Sequence, residues 1–408
     1  MRFFQNHQLD LNFFYRSKGP MESAEEVAVI APPELPWKER ARRLFEHARS
    51  RVKPDPDADN QKTLRMLLKA GRGQNADLTA YFALLLNRAR IRSRIVLAFS
   101  RFGVPFHPVV ESWRPFSFTF MVEAAPRGEA PLYLSPGNPF ATSDTFDNRF
   151  LGSLAFRQPE PPGGDWPLIR IPADLPISDT TRLAFSSPFA PDQDEVDLTL
   201  ETTLHDSAAY RFRRMLGWRT WRTRTKEVKA RDQKILELWL DRWANLELKG
   251  TPPEINRTEN VDQPLVFELK TPWRPEIQKV GGSNVLVPAL PRADLFRNPF
   301  QAEIRELPIW LPGGRYEVSM TWHLPPGAAV MQVPVPAEAT GPRGLAYTME
   351  VAAEVSPDGP EPARLTTRVV VELPFMLPAT DYSEVRRFFE GLQRAAGTRL
   401  LVATGEAP

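Results

Sequence analysis

Residues 71–134 constrain the fold of this chain more than any other stretch, because they require a turn, a buried helix and an antiparallel sheet in succession. Gly71-Arg72-Gly73-Gln74-Asn75-Ala76-Asp77 opens on two glycines, which suit a sharp change of direction. Leu78, Tyr81, Phe82, Leu85 and Leu86 follow at helical spacing, so a buried helix is predicted from about Ala76. Residues 91–100 then read as a strand, residues 116–123 alternate with the period of two of a half-buried strand, and residues 132–134 make a third after a Pro/Gly turn. Upstream, residues 36–52 predict an amphipathic helix with Trp37, Ala41, Leu44 and Ala48 on its apolar face, and residues 60–70 a second helix.

Composition limits what the rest can be. The 42 prolines in 408 residues are roughly twice ordinary usage, which favours strands, turns and coil over long helices. A hydrophobic content of 42% is enough for real cores, and the length predicts two or three domains. A formal charge of +2 supplies no global field toward nucleic acid or acidic lipid. The chain has no cysteine, which removes disulfides, thiolate metal sites and thiol catalysis together. His7, His47, His205 and His323 are scattered without the spacing of a metal site, and no cofactor is expected. No apolar run approaches the length of a membrane span, and the first residues lack the apolar segment of a signal peptide. A Gly-x-Ser-x-Gly elbow, a phosphate loop and a dinucleotide fingerprint are all missing.

The order of helix, central buried helix and successive antiparallel strands, with the turn at 73–77, resembles the transglutaminase-like, papain-related superfamily. In that family a Gly-x-Cys-x-Asp turn opens the central helix, a His follows on the next core strand after an aromatic, and an Asp ends the strand after that. The resemblance places Asn75 at the thiol, Phe118 at the imidazole (Phe116-Ser117-Phe118) and Ser135 at the carboxylate (Tyr133-Leu134-Ser135-Pro136). An amide, a benzene ring and a neutral hydroxyl cannot act as nucleophile, base and orienting anion. Loss of one member of such a unit costs several powers of ten, so three losses imply a protein that is not an enzyme by this mechanism. Asp77 at the helix start fits a structural role, stabilised by the helix dipole and free N–H groups. Arg72, Gln74, Asp77, Trp113, Ser117 and Ser135 would then line a vestigial cleft with room for an extended peptide or protein segment. Arg90 stands where the family has a glycine after the helix, and a left-handed residue there costs about 1 kcal/mol without one.

Beyond residue 156 the chain turns rich in proline and glycine. Residues 196–203 alternate as a strand, and residues 210–234 are dense in bases and aromatics, among them Arg211, Arg213, Arg219, Arg222 and Arg224. The apolar residues of that stretch predict a packing face and the bases a solvated one, so nucleic acid is not the expected partner. Short strands with turn signals follow at 246–248, 265–269, 284–287, 316–320, 347–355 and 365–373, then a helix at 383–396 and a strand at 399–402. The overall expectation is an α+β chain: an extension or domain remnant at 1–26, a papain/transglutaminase-like domain at 27–160, a linker, strand and basic helical connector at 161–243, and a mainly antiparallel β-sandwich at 244–408. The resemblance also implies an exported or periplasmic bacterial protein. Two competing readings are a hydrolase or acyltransferase using Ser117, Ser135 or His107, and a nucleic-acid binder using the basic helix.

Overall fold

The computed structural model describes residues 21–59, 63–100, 118–160, 166–175, 179–216, 234, 236–237, 261, 263–291, 294–300, 302–354 and 364–404. The chain divides into two compact units, Met1–Ser178 and Asp179–Pro408, and its fold is α+β with a β-rich C-terminal region. Residues 1–20 of the extension expected at 1–26, the strand at 246–248, and Trp113, Ser117 and His107 lie outside the described residues, as do Arg219, Arg222 and Arg224.

In the first unit the helices α1 (Ala24–Ile30) and α2 (Trp37–Arg51) precede a short strand β1 (Lys53–Pro54). The predicted apolar face of α2 is realised by Ala41, Leu44 and Ala48, with Phe45 added, and the Phe45 ring meets Phe82 edge-on at 5.7 Å. Helix α3 (Leu64–Ala70) begins where the Thr63 hydroxyl accepts the Met66 N–H at 3.1 Å and ends at Gly71, which takes the left-handed conformation at φ 62°. Strand β2 (Arg72–Gly73) pairs in parallel with β1, and helix α4 (Asn75–Arg88) follows at once.

Helix α4 ends in the conformation that the sequence made costly. Arg90 adopts φ 57°, its N–H donates to Asn87 O at 3.1 Å, and the Ile91 N–H donates to Leu86 O at 2.8 Å. Those two bonds close a Schellman motif, and Leu86 and Ile91 on either side of it are both buried in the same apolar core. An exposed arginine thus carries a strain of about 1 kcal/mol that packing on either side holds in place.

Strands β3 (Ser93–Phe99), β4 (Phe118–Ala124), β5 (Leu132–Leu134), β6 (Leu154–Arg157) and β7 (Leu168–Arg170) form, among the described residues, an antiparallel sheet of order β5–β4–β3–β6–β7. Helices α2 and α4 share one apolar core with Ile95, Leu97, Phe99, Phe120 and Val122 of this sheet.

Glu22 ties the start of the described chain to α2 and α4. Its Oε1 accepts the Tyr81 hydroxyl at 2.6 Å and lies 2.9 Å from His47 Nε2, while Oε2 is buried with no hydrogen-bond partner. Burial pushes the Glu22 pKa up, but the bonds from His47 and Tyr81 outweigh it and bring the carboxyl down to about 2. A carboxyl depressed in the folded state contributes stability above its unfolded pKa, and that contribution is lost as pH falls through the folded value. The difference in melting temperature between wild type and Glu22→Gln is therefore expected to be largest near neutrality and to shrink from about pH 4.5 toward pH 2. An equal difference at both ends of a pH series of melts would sink this assignment.

The second unit is built on strands β8 (Thr180–Pro188), β9 (Val196–Leu204), β10 (Leu265–Trp273), β11 (Gln278–Gly281), β12 (Asn284–Pro288), β13 (Ile309–Trp310), β14 (Gly314–His323), β15 (Ala329–Gln332), β16 (Ala337–Thr340), β17 (Ala346–Glu354), β18 (Arg364–Leu373), β19 (Met376–Leu377) and β20 (Arg399–Ala403), with helices α5 (Asp206–Leu216) and α6 (Tyr382–Ala396). Among the described residues the larger sheet has the order β10–β9–β8–β14–β18–β17–β16, antiparallel except for the pair β8–β14, and a smaller one has the order β11–β12–β20–β15. Both sheets and α6 contribute to one core around Trp322, whose indole N–H donates to Pro288 O at 3.1 Å. Strand β9, expected in a connector, is a member of the larger sheet beside β8.

One expectation about the basic stretch is corrected here. Arg211 and Arg213 do not lie on a solvated face: Arg213 is buried and donates to Val261 O and Gln263 O at 3.0 and 2.7 Å, and Arg211 pairs with buried Asp179. Helical periodicity alone cannot show that a guanidinium has a carboxylate and backbone carbonyls waiting for it. Phe212 between them stacks on Phe267 at 5.4 Å.

Candidate functional site

The N-terminal end of α4 is assembled by close backbone packing. A Cβ on Gly73 would lie 2.4 Å from Leu67 Cδ1 and 3.2 Å from Asp77 Cβ, so a larger residue there would require the Leu67 side chain to move. The next residue, Gln74, donates its N–H to Asp77 Oδ2 at 3.1 Å and its side-chain amide to Ala58 O at 2.6 Å. Asp77, 1% exposed, is therefore the acidic half of a capping box, its Oδ2 accepting the N–H of the N-cap residue Gln74. Arg72 points the other way, largely exposed and 3.6 Å from Asp55.

Asn75 is the first residue of α4 and sits at the meeting point of three elements. Its Oδ1 accepts the buried Thr79 hydroxyl at 3.2 Å, and its Nδ2 donates to Thr119 Oγ1 on β4 at 2.8 Å. From the third side comes the turn after β5, in which Asn138 N–H donates to Ser135 O at 3.1 Å. Gly137 of that turn presses on Asn75 so closely that a Cβ there would lie 2.4 Å from Asn75 Cα. Arg49 of α2 fixes the following residues by donating to Pro139 O at 2.8 Å and to Ala141 O. Asn75 and Ser135 are thus brought to one end of the sheet, both half-buried.

The strand residue hydrogen-bonded to Asn75 is Thr119, the neighbour of Phe118, whose ring meets Phe99 at a tilt and Phe120 edge-on, with centroids 6.4 and 6.1 Å apart. With a side-chain period of two, an offset of one position moves the partner from one face of the strand to the other. Sequence reasoning also missed Thr79 and Gly137. The first stands one helical turn after Asn75, and the second belongs to the turn signal Ser135-Pro136-Gly137-Asn138.

Chemically the cluster offers an amide and two hydroxyls, groups that donate and accept hydrogen bonds without ionising near neutrality. Of the histidines, His47 is engaged with Glu22, His205 and His323 belong to the second unit, and His7 and His107 are outside the described residues. Among the described residues no group of three or more His, Asp or Glu side chains could hold a metal ion, and no helix is long and apolar enough to cross a membrane.

No family model matches this chain, and no curated protein sequence matches it. Among solved structures it is similar to a candidate protease from Parabacteroides distasonis, at 15% identity and a TM-score of 0.42, over 96% of this chain and 57% of that one. The chain therefore spans little more than half the length of that structure.

Proposed function

We propose that this protein is a non-catalytic member of the transglutaminase-like type, in which the end of the sheet around Asn75 holds an extended peptide or protein segment or serves as structural packing. The single observation that carries the reading is the state of the Asn75 amide. Its oxygen and its nitrogen are both bonded to threonine hydroxyls, so the place where a thiol enzyme would present its nucleophile is used as a structural joint. Its strand neighbour is a hydroxyl that cannot take a proton at neutral pH. Ser135, half-buried in the turn whose Gly137 presses on Asn75, carries a hydroxyl that can bond a peptide backbone.

The reading is tested by treating the full chain with a fluorophosphonate and with a thioester acyl donor, followed by intact-mass analysis and peptide mapping. No covalent adduct is expected in the region 72–79 or at Ser135. A stoichiometric adduct on Ser135 that disappears in Ser135→Ala would overturn the reading in favour of an acyl-transfer enzyme with a serine nucleophile.

A further inference from the structure

The strongest unassigned feature of the first unit is an arginine pocket at the start of β3. Arg92 and Arg94 flank Ser93 and aim at one carboxylate: Arg92 Nε lies 3.0 Å and Arg94 Nη2 2.6 Å from Glu160 Oε2, and Arg92 Nη2 bonds the same oxygen. With Arg127, Gln158 and Pro159 these residues line an open concavity of about 650 Å³. Two guanidiniums, those of Arg92 and Arg94, bond a single carboxylate, and Arg127, which lines the same concavity, has no ion-pair partner of its own among the described residues.

Glu160 is delivered to this place by its neighbours. The Gln158 N–H donates to Ile95 O at 2.8 Å and the Ile95 N–H donates to Gln158 Oε1 at 3.3 Å, which fixes the chain two residues before Glu160 against β3. The carboxylate itself is half-exposed. Hydrogen bonds from Arg92 and then Arg94 hold its carboxyl down at about 2, so it is ionised at every physiological pH. Ion pairs this exposed are weak, so an incoming carboxylate can exchange with Glu160 at little cost. It would meet the Arg92 and Arg94 guanidiniums in a geometry that already suits a carboxylate, with the Arg127 cation lining the same concavity.

We propose that the Arg92–Arg94–Arg127 pocket is a binding site for carboxylates of an acidic peptide segment, with Glu160 occupying it as an internal stand-in when no ligand is bound. The site is separate from the Asn75 joint. It lies at the opposite end of β3, since Thr119 is opposite Ala98 and the strand from Arg94 to Ala98 spans about 13 Å. The inference does not rest on the reading given above for that joint.

Fluorescence anisotropy of a labelled tri-glutamate peptide titrated with the full chain at low ionic strength tests the proposal. Removing the stand-in by Glu160→Gln is expected to tighten binding by about fivefold, the factor that an exposed ion pair can withhold. The double variant Arg92→Gln/Arg94→Gln is expected to lose binding. Arg127→Gln, which leaves both Glu160 ion pairs intact, is expected to weaken it, so the proposal stays testable if the double variant melts early. Unchanged or weaker binding by Glu160→Gln, or wild-type affinity in Arg127→Gln, overturns the proposal. Tighter binding of a labelled oligothymidylate than of tri-glutamate by Glu160→Gln overturns the assignment to an acidic peptide.

Discussion

Replacing Gly137 by alanine is expected to lower the stability of the first unit by about 3 kcal/mol, at the upper end of the cost of overpacking. The added Cβ would lie 2.4 Å from Asn75 Cα, 2.5 Å from its Oδ1 and 2.7 Å from its carbonyl oxygen. Two of these three are backbone atoms of a helix packed against α2 and β4, so the helix cannot step aside as a flexible side chain would. The turn cannot easily retreat either, because Arg49 holds the carbonyls of Pro139 and Ala141. For a unit of this size the expected fall in melting temperature is about 6–12 °C, confined to one of two calorimetric transitions if the units melt separately. An unchanged melting temperature in Gly137→Ala would show that the turn does not press on the start of α4, and the geometry of the candidate site would fall with it.

The second large effect concerns Asp179 and Arg211. The Asp179 side chain is 1% exposed, and its Oδ2 lies 2.5 Å from Arg211 Nη1. Burial pushes the Asp179 pKa up, and the Arg211 guanidinium opposes that rise. Arg211→Ala would leave a buried carboxylate without its counter-ion, which costs about 3 kcal/mol or more at neutral pH. The sign of the pH dependence is fixed by the raised pKa: the penalty is present above it and is relieved as the acid becomes neutral. Denaturation of Arg211→Ala should accordingly be closest to wild type in mild acid, and adding Asp179→Asn should recover part of the loss at pH 7. A variant as stable as wild type at neutral pH would show that water already reaches Asp179.

What could be read from the sequence was periodic or local. The apolar spacing of Leu78, Tyr81, Phe82, Leu85 and Leu86 predicts α4, and the alternation through Phe116 to Glu123 predicts β4, because each pattern reports one buried face at short range. Arg90 belongs with these, since the left-handed residue after a helix is set by the helix itself. The candidate site was legible only in part. Asn75 is legible as the first residue of α4, but its hydrogen-bond partner on β4, Thr119, depends on a register that composition does not fix. Gly137 illustrates the same limit, because its close approach to α4 is a contact across sixty residues of chain. Arg213 illustrates it in the second unit, where a base that looked solvated is consumed by two carbonyls far along the sequence.

The parallel pair β8–β14 has a bearing on how the second unit forms. It matches Arg315 through His323 with Thr180 through Pro188, so the centre of the larger sheet joins segments separated by most of the length of that unit. The thermodynamic toll of so long an excursion is modest, since each doubling of a loop adds only about 0.6 kcal/mol of closure entropy. Its kinetic toll is larger, because distant pairings reward the chain late in the search. Before β14 arrives, the hairpin of β8 and β9 presents an unpaired edge, and this stage of folding is where a chaperone or a neighbouring chain has its best opportunity to intervene.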